Sequence, residues 1–259
     1  MAFECTCCGE CCVRIKIKNE GKQYVEQLMQ EQAERNKKGP VYYLTPVEER
    51  AFWLYEWEME RYKESAKRLG VKIGFNPVRA MYDEFGKTWM VLSWSLDSDR
   101  CPFVDDKFHC RAYPERSLVC HSFPVNVKLF SQLAGGSRQI DDPLGIRCPV
   151  VPKEKFNKSL KAFAEEYGDA FRAAYESYVT ELTFMRAIDS QIAKFPMRVK
   201  VHSGPIPADR RNVQPAISYL AGLGVLPKGF EKDLVKFASS EAERLIKQLK
   251  AGEPYQILR

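Results

Sequence analysis

Hydrophobic residues follow two different rhythms along the chain. Trp89-Met90-Val91-Leu92-Ser93-Trp94 is an almost unbroken apolar run between Gly86-Lys87 and Asp97-Ser98-Asp99. It predicts a strand, and 71–96 as a whole reads as strands. Val13-Arg14-Ile15-Lys16-Ile17-Lys18 alternates and predicts a short strand with one buried face, and 125–130 predicts another. Residues 21–37 place Tyr24, Val25, Leu28 and Met29 at helical spacing and end at Gly39-Pro40. Thr45-Pro46-Val47-Glu48 reads as a helix start: Thr45 as N-cap, Pro46 at the first helical position, Glu48 closing a capping box. That helix is expected to run to about Leu69 and stop at Gly70, with Phe52, Trp53, Trp57 and Tyr62 packed as core. Beyond 154 the rhythm becomes helical throughout, with Phe156, Leu160, Phe163, Tyr167 and Phe171 three or four apart, as far as Pro196. Further helices are expected over 213–222 and 229–250. The predicted class is α+β: a loop-rich cysteine core with a few short strands and flanking helices over 1–151, and a helical, mildly basic region over 152–259 packed on it.

Composition narrows the functional classes. Of 259 residues, 45% are hydrophobic and 12% aromatic, too many for a chain without a core. No run of about 18 uncharged apolar residues is present, so no membrane span is expected. The start, Met1-Ala2-Phe3-Glu4-Cys5, lacks the basic opening and apolar stretch of a secretory leader, which points to the cytoplasm. The net charge is +6, of which +5 falls in 152–259, where Arg198, Lys200, Arg210 and Arg211 lie close in sequence. So mild an excess reads as solvated helix faces before it reads as a nucleic-acid footprint.

The nine cysteines change the picture most. Five fall in eight residues, Cys5, Cys7, Cys8, Cys11 and Cys12; the others are Cys101, Cys110, Cys120 and Cys148. Adjacent cysteines do not reach ordinary disulfide geometry without strain, and clustered cysteines in a reducing compartment more often hold metal. Cys5, Cys8 and Cys11 follow one another every third position, the spacing of the first three ligands of ferredoxin-type clusters, whose fourth ligand is a later Cys followed by Pro. This chain has Cys101-Pro102 and Cys148-Pro149. Gly9, directly after Cys8, lets the backbone take unusual angles and bring amides near sulfur. Cys7 reads as a spare, buried cysteine. His109 and His121 each flank a cysteine and are alternative ligands, whereas His202 stands alone. Asp105 and Asp106 read as turn residues.

Taken together, these pieces resemble the YkgJ-type cysteine-cluster family of zinc- or iron-chelating domains, over roughly residues 3–150. The opening Cys-x-x-Cys-Gly-x-Cys-Cys is matched by Cys5, Cys8, Gly9, Cys11 and Cys12. Leu44-Thr45 precedes the predicted helix; Cys101-Pro102-Phe103, then Cys110, Tyr113 and Arg116, then Cys120, Phe123 and Pro124 complete the pattern. Ser117 stands where the family usually has Pro, and His121 where Arg is usual. The resemblance implies that Cys5, Cys8, Cys11, Cys12, Cys101, Cys110, Cys120 and Cys148 bind metal, as zinc or as an iron–sulfur cluster such as [4Fe–4S]. Four thiolates around either centre leave a net charge near −2. Arg116, Arg111 and Lys107 are expected to offset it, with Tyr113 and Phe123 as shields against water.

Structural zinc usually shows two separate Cys-x-x-Cys pairs, and spacing alone does not decide between the two metals; the dense first cluster and the Cys-Pro dipeptides tilt the reading to iron–sulfur. The expected function is a cytoplasmic redox or accessory role with a redox or protein partner. A zinc-stapled module binding protein or nucleic acid through the basic half is a second reading. A third is methyl transfer, by analogy with flagellin lysine N-methylases, which carry a similar cluster, although no S-adenosylmethionine motif is visible. The radical-SAM spacing, a glycine-rich phosphate loop and a Ser-His-Asp arrangement are all absent. Every metal reading requires cysteines about 90 residues apart in sequence, Cys12 and Cys101, to meet in space.

Overall fold

The computed structural model describes residues 7–13, 41–129 and 159–258, apart from 47, 48, 50, 124, 127, 128, 209 and 210. At its centre is a hairpin of β3 (Phe75–Asp83) and β4 (Thr88–Leu96), registered from Phe75 opposite Leu96 to Asp83 opposite Thr88. The register slips between Pro77 and Ala80, where proline has no N–H to give the ladder. The Asp83 carboxylate accepts from the Phe85 and Gly86 amides and closes the turn. Short β1 (Tyr42–Tyr43) pairs antiparallel with β3. The other edge of β4 is shared by β2 (Trp53–Leu54), antiparallel, and β5 (Val213–Pro215), parallel. Trp89, Met90, Val91 and Leu92 are all buried, on both faces of the sheet. That double burial is why β4 reads as a continuous apolar run and not as an alternation.

The helices are α1 (Glu10–Val13), α2 (Glu56–Leu69), α3 (Leu118–Ser122), α4 (Leu160–Lys194), α5 (Ala216–Gly222) and α6 (Phe230–Ala251), with a 3₁₀ turn at Tyr113–Glu115. α4 is kinked at Gly168 (φ 47°, ψ −116°). Its first part packs Phe163, Phe171 and Tyr175 against Ala238, Ala242 and Leu245 of α6; farther along, Phe184 and Ile188 meet Met81, Met90 and Leu92 of the sheet. A third cluster, Met59, Tyr62 and Ala66 of α2 with Leu54, Leu96, Phe103 and Ala112, lies beneath the cysteine-bearing loops. The sheet and α4 are also joined by Arg79, 4% exposed, whose guanidinium makes two hydrogen bonds to Glu181 (2.5 and 2.9 Å). Arg79 also donates to Ser93 Oγ and lies over the Trp53 ring, while the Tyr55 hydroxyl donates to the same carboxylate. Among the described residues no helix is long and apolar enough to cross a membrane.

The α+β class and the helical C-terminal part are as expected, but several boundaries differ. The helix expected from Pro46 begins ten residues later. The Thr45 hydroxyl donates to the Pro77 carbonyl, a single turn closes with the Glu49 N–H on the Pro46 carbonyl at 3.1 Å, and Trp53–Leu54 is taken up by the β4 edge. Glu58 takes the place expected of Glu48, accepting from the Tyr55 N–H at 2.9 Å. The strand expected at 125–130 is contradicted: Val125, Asn126 and Leu129 are helical, and Val125 and Leu129, four apart, are buried with α4 and α6. Val13 ends α1 and does not open a strand; residues 14–18 and the helix expected over 21–37 lie outside the described residues. The helix expected from 154 is described from Leu160, and 213–215 form β5 ahead of α5.

Candidate metal centre

The first cysteine segment turns back on itself. Cys7 and Gly9 both have left-handed backbones (φ 51° and 79°), after which the Cys12 amide donates to the Gly9 carbonyl at 2.9 Å and forms the single turn of α1. Glycine is required at position 9 for a second reason: a Cβ there would stand 2.4 Å from Cδ1 of Phe108. Phe108 is itself left-handed (φ 64°). It is presented by a turn in which Asp105 Oδ1 accepts from the Lys107 and His109 amides, as expected of a turn aspartate.

The second segment rests on α2. Four side chains of that helix hold it: Glu58 accepts from the Leu118 N–H (2.7 Å), Arg61 donates to the Arg116 carbonyl (3.1 Å), the Tyr62 hydroxyl accepts from the Ser117 N–H (3.0 Å), and Arg68 pairs with Glu115 (2.9 Å). Ser117 then caps α3, its Oγ accepting from the Cys120 N–H at 3.2 Å. Proline, the usual residue there in the family resembled, could make neither of the Ser117 contacts. The two segments meet directly: the Cys101 N–H donates to the Cys12 carbonyl at 2.7 Å.

Cys7, Cys8, Cys11 and Cys12 from the first segment and Cys101, Cys110 and Cys120 from the second all line one cavity of about 890 Å³, counting its open mouth. All seven are thiols. The rest of the wall is largely apolar, with Phe52, Phe103 and Phe123 prominent. Cys11 and Cys12 Sγ are 3.8 Å apart, and Tyr62 Oη is 3.8 Å from Cys120 Sγ. Among the described residues no three thiol, imidazole or carboxylate side chains converge closely enough to hold a metal ion as they stand; the thiols ring the cavity instead.

The electrostatics explain what a cation would do there. Burial pushes the Cys101 thiol up to about 12 and the Cys120 thiol up to about 11, and in Cys101 the neighbouring Cys120, Cys12 and Cys110 add to the rise. Cys12 goes the other way, down to about 7, first through the hydrogen bond from Cys11, against burial, and then through Arg116. A soft cation bound by these thiols would displace their protons and offset their mutual repulsion, so the donor set fits zinc or iron.

Cys8, Cys11, Cys12, Cys101, Cys110 and Cys120 are brought together, while Cys5 and Cys148 lie outside the described residues. Arg116 reaches the cavity, its guanidinium 3.7 Å from the Tyr113 ring centroid and 3.3 Å from His121 Nδ1. Arg111 and Lys107 do not line it: Arg111 donates to the Pro102 carbonyl, and Lys107 is exposed. Tyr113 stands at the wall, 46% exposed, whereas Phe123 is buried against Phe52. His109 faces Asp105, and neither it nor His121 lines the cavity. His202 contacts Glu84 and the Pro205 carbonyl. Cys7, read as a spare, lines the same cavity. Tyr62 and Phe108 also line the cavity, without a sequence signal: nothing ties Tyr62 to a cysteine 58 positions away, and an isolated Phe in a polar turn carries none.

No curated protein and no solved structure matches the chain. The family model described as "CxxCxxCC: Putative zinc- or iron-chelating domain" matches residues 4–139, which include every expected ligand except Cys148. With over half its length matched and its seven described cysteines lining one cavity, the chain belongs to the CxxCxxCC family of zinc- or iron-chelating domains.

Proposed function

We propose that the chain carries an iron–sulfur centre in this cavity and serves a redox or accessory role, exchanging electrons with a protein partner. The observation that carries the reading is the gathering of seven cysteines from two distant segments on a single, mostly apolar cavity. Four thiolates satisfy a structural zinc ion, and one cavity with more sulfurs than that suits a polynuclear centre shielded from water better than a pair of separate zinc knuckles. Cys5, Cys8, Cys11, Cys12, Cys101, Cys110, Cys120 and Cys148 are the ligand candidates. Arg116 would offset part of the negative charge, and an iron–sulfur centre would supply one-electron transfer. The alternative of nucleic-acid binding through the basic half draws no support from Arg198, which donates to the Leu223 carbonyl, or from Lys200, which pairs with Glu84. Anaerobic purification tests the reading: it expects brown protein with iron and acid-labile sulfide in comparable amounts. A colourless, zinc-loaded product would overturn it while leaving metal chelation intact.

A further inference from the structure

We infer that Tyr62 is a positioning residue of the metal centre, its hydroxyl donating a hydrogen bond to the Cys120 sulfur. The inference rests on the metal reading of the cavity. Tyr62 is 4% exposed and projects from α2 to the second cysteine segment. Three contacts form a closed ring there: Ser117 N–H to Tyr62 Oη (3.0 Å), Cys120 N–H to Ser117 Oγ (3.2 Å), and Tyr62 Oη to Cys120 Sγ (3.8 Å). The Ser117 N–H occupies the phenol oxygen as an acceptor and leaves the phenol's own proton to point at sulfur. A metal-bound sulfur carries no proton, so of the two partners in that contact only Tyr62 can donate in the loaded protein, beside the Ser117 hydroxyl, which also hydrogen-bonds the Cys120 thiol. The ring plane is fixed by edge contact with Phe103 (centroids 5.1 Å, 63°), itself 1% exposed. A buried donor held in this way orients the ligand and withdraws charge from it, as outer-layer partners of metal ligands do.

The test compares the full-length wild type with Tyr62→Phe, which keeps the ring and removes only the hydroxyl, both purified anaerobically. Three quantities are read: iron per chain, retention of that iron against a competing chelator, and the midpoint potential. Unchanged iron content, retention weakened about 10–100-fold, and a lower midpoint potential are expected, because the reduced, more negative centre loses a stabilising donor. Ser117→Pro, which deletes both the N–H that fixes the phenol and the hydroxyl beside Cys120, is expected to lower the potential in the same direction. A Tyr62→Phe protein with wild-type retention and potential would overturn the role of Tyr62 alone. A wild type without iron would overturn the iron–sulfur reading, and the same chelator competition on its zinc would then decide Tyr62: equal retention in both proteins sinks the proposal, and weaker retention in the variant upholds it.

Discussion

Gly9 and Phe108 are coupled, and the coupling has a size. Gly9→Ala introduces a Cβ at φ 79°, and a left-handed backbone costs a non-glycine residue about 1–2 kcal/mol. The new carbon would also lie 2.4 Å from Cδ1 and 2.7 Å from Cγ of Phe108, so the ring must leave. Phe108 is 40% exposed, and displacing it forfeits somewhat over half of the ~1.5–3 kcal/mol that full burial gives, about 1–2 kcal/mol. The single substitution is therefore expected to cost about 2–4 kcal/mol of loop docking. Because the docked loop presents four thiols, metal affinity should fall roughly 30–1000-fold, at about 1.4 kcal/mol per tenfold. Phe108→Ala alone should cost about 1–2 kcal/mol. In Gly9→Ala/Phe108→Ala the ring is lost once and not twice, so the double variant should match Gly9→Ala and fall short of the summed effects by about 1–2 kcal/mol. Chelator competition on the four proteins reads this directly. Strict additivity would refute the contact between Gly9 and Phe108. Wild-type affinity in Gly9→Ala would refute the left-handed turn as well.

Three other outcomes are expected. Glu181→Gln leaves the buried Arg79 guanidinium without its counter-charge, and thermal denaturation should show a loss somewhat below the ~3–5 kcal/mol of a fully buried pair, because 32% of the Glu181 side chain meets solvent. Burial alone would raise the Glu181 carboxyl, but Arg79 and Tyr55 outweigh it and hold it below its ordinary 4.5. Its contribution should therefore be complete above pH 4.5 and fade as pH falls through the lower folded value, a fading absent from the variant. His121 is pushed down to about 4, by burial first and Arg116 second, so the folded chain holds it neutral. Stability measured by denaturant titration should decline as pH drops from about 6.5 toward 4, and His121→Gln should lessen that slope. Cys110→Ser should lose metal and solubility, whereas Cys7→Ser should keep both; equal losses on metal analysis would make Cys7 a ligand.

The cysteines were the most legible part of the sequence, because five thiols in eight residues cannot pair among neighbours without strain and point to metal instead. The β3–β4 hairpin was equally plain, its burial on both faces leaving an unbroken apolar run. Local signals misled where a distant partner took the residue. Thr45-Pro46-Val47-Glu48 has the residues of a helix start, yet only a single turn follows, Glu49 N–H on the Pro46 carbonyl, before Trp53 and Leu54 join the β4 edge. Val125 and Leu129 satisfy a period of two and a period of four alike, and packing against α4 and α6 decided between them. Of three candidate cations only Arg116 faces the thiols, since side-chain direction depends on the 3₁₀ turn and on the α2 contacts that fix it. The support given by Tyr62 and Glu58 was invisible because it joins segments some 60 residues apart, and aromatic residues at helical spacing look like ordinary core.

Two distant cysteine segments are proposed to share one metal centre. X-ray absorption at the edge of the metal in the anaerobically purified chain, repeated on Cys12→Ser and Cys101→Ser, tests this most directly. The account predicts a first shell of sulfur alone, at about 2.3 Å if the metal is zinc, and a disrupted shell or lost metal in both variants. A first shell of nitrogen and oxygen, or a shell disturbed by only one of the two substitutions, would contradict it.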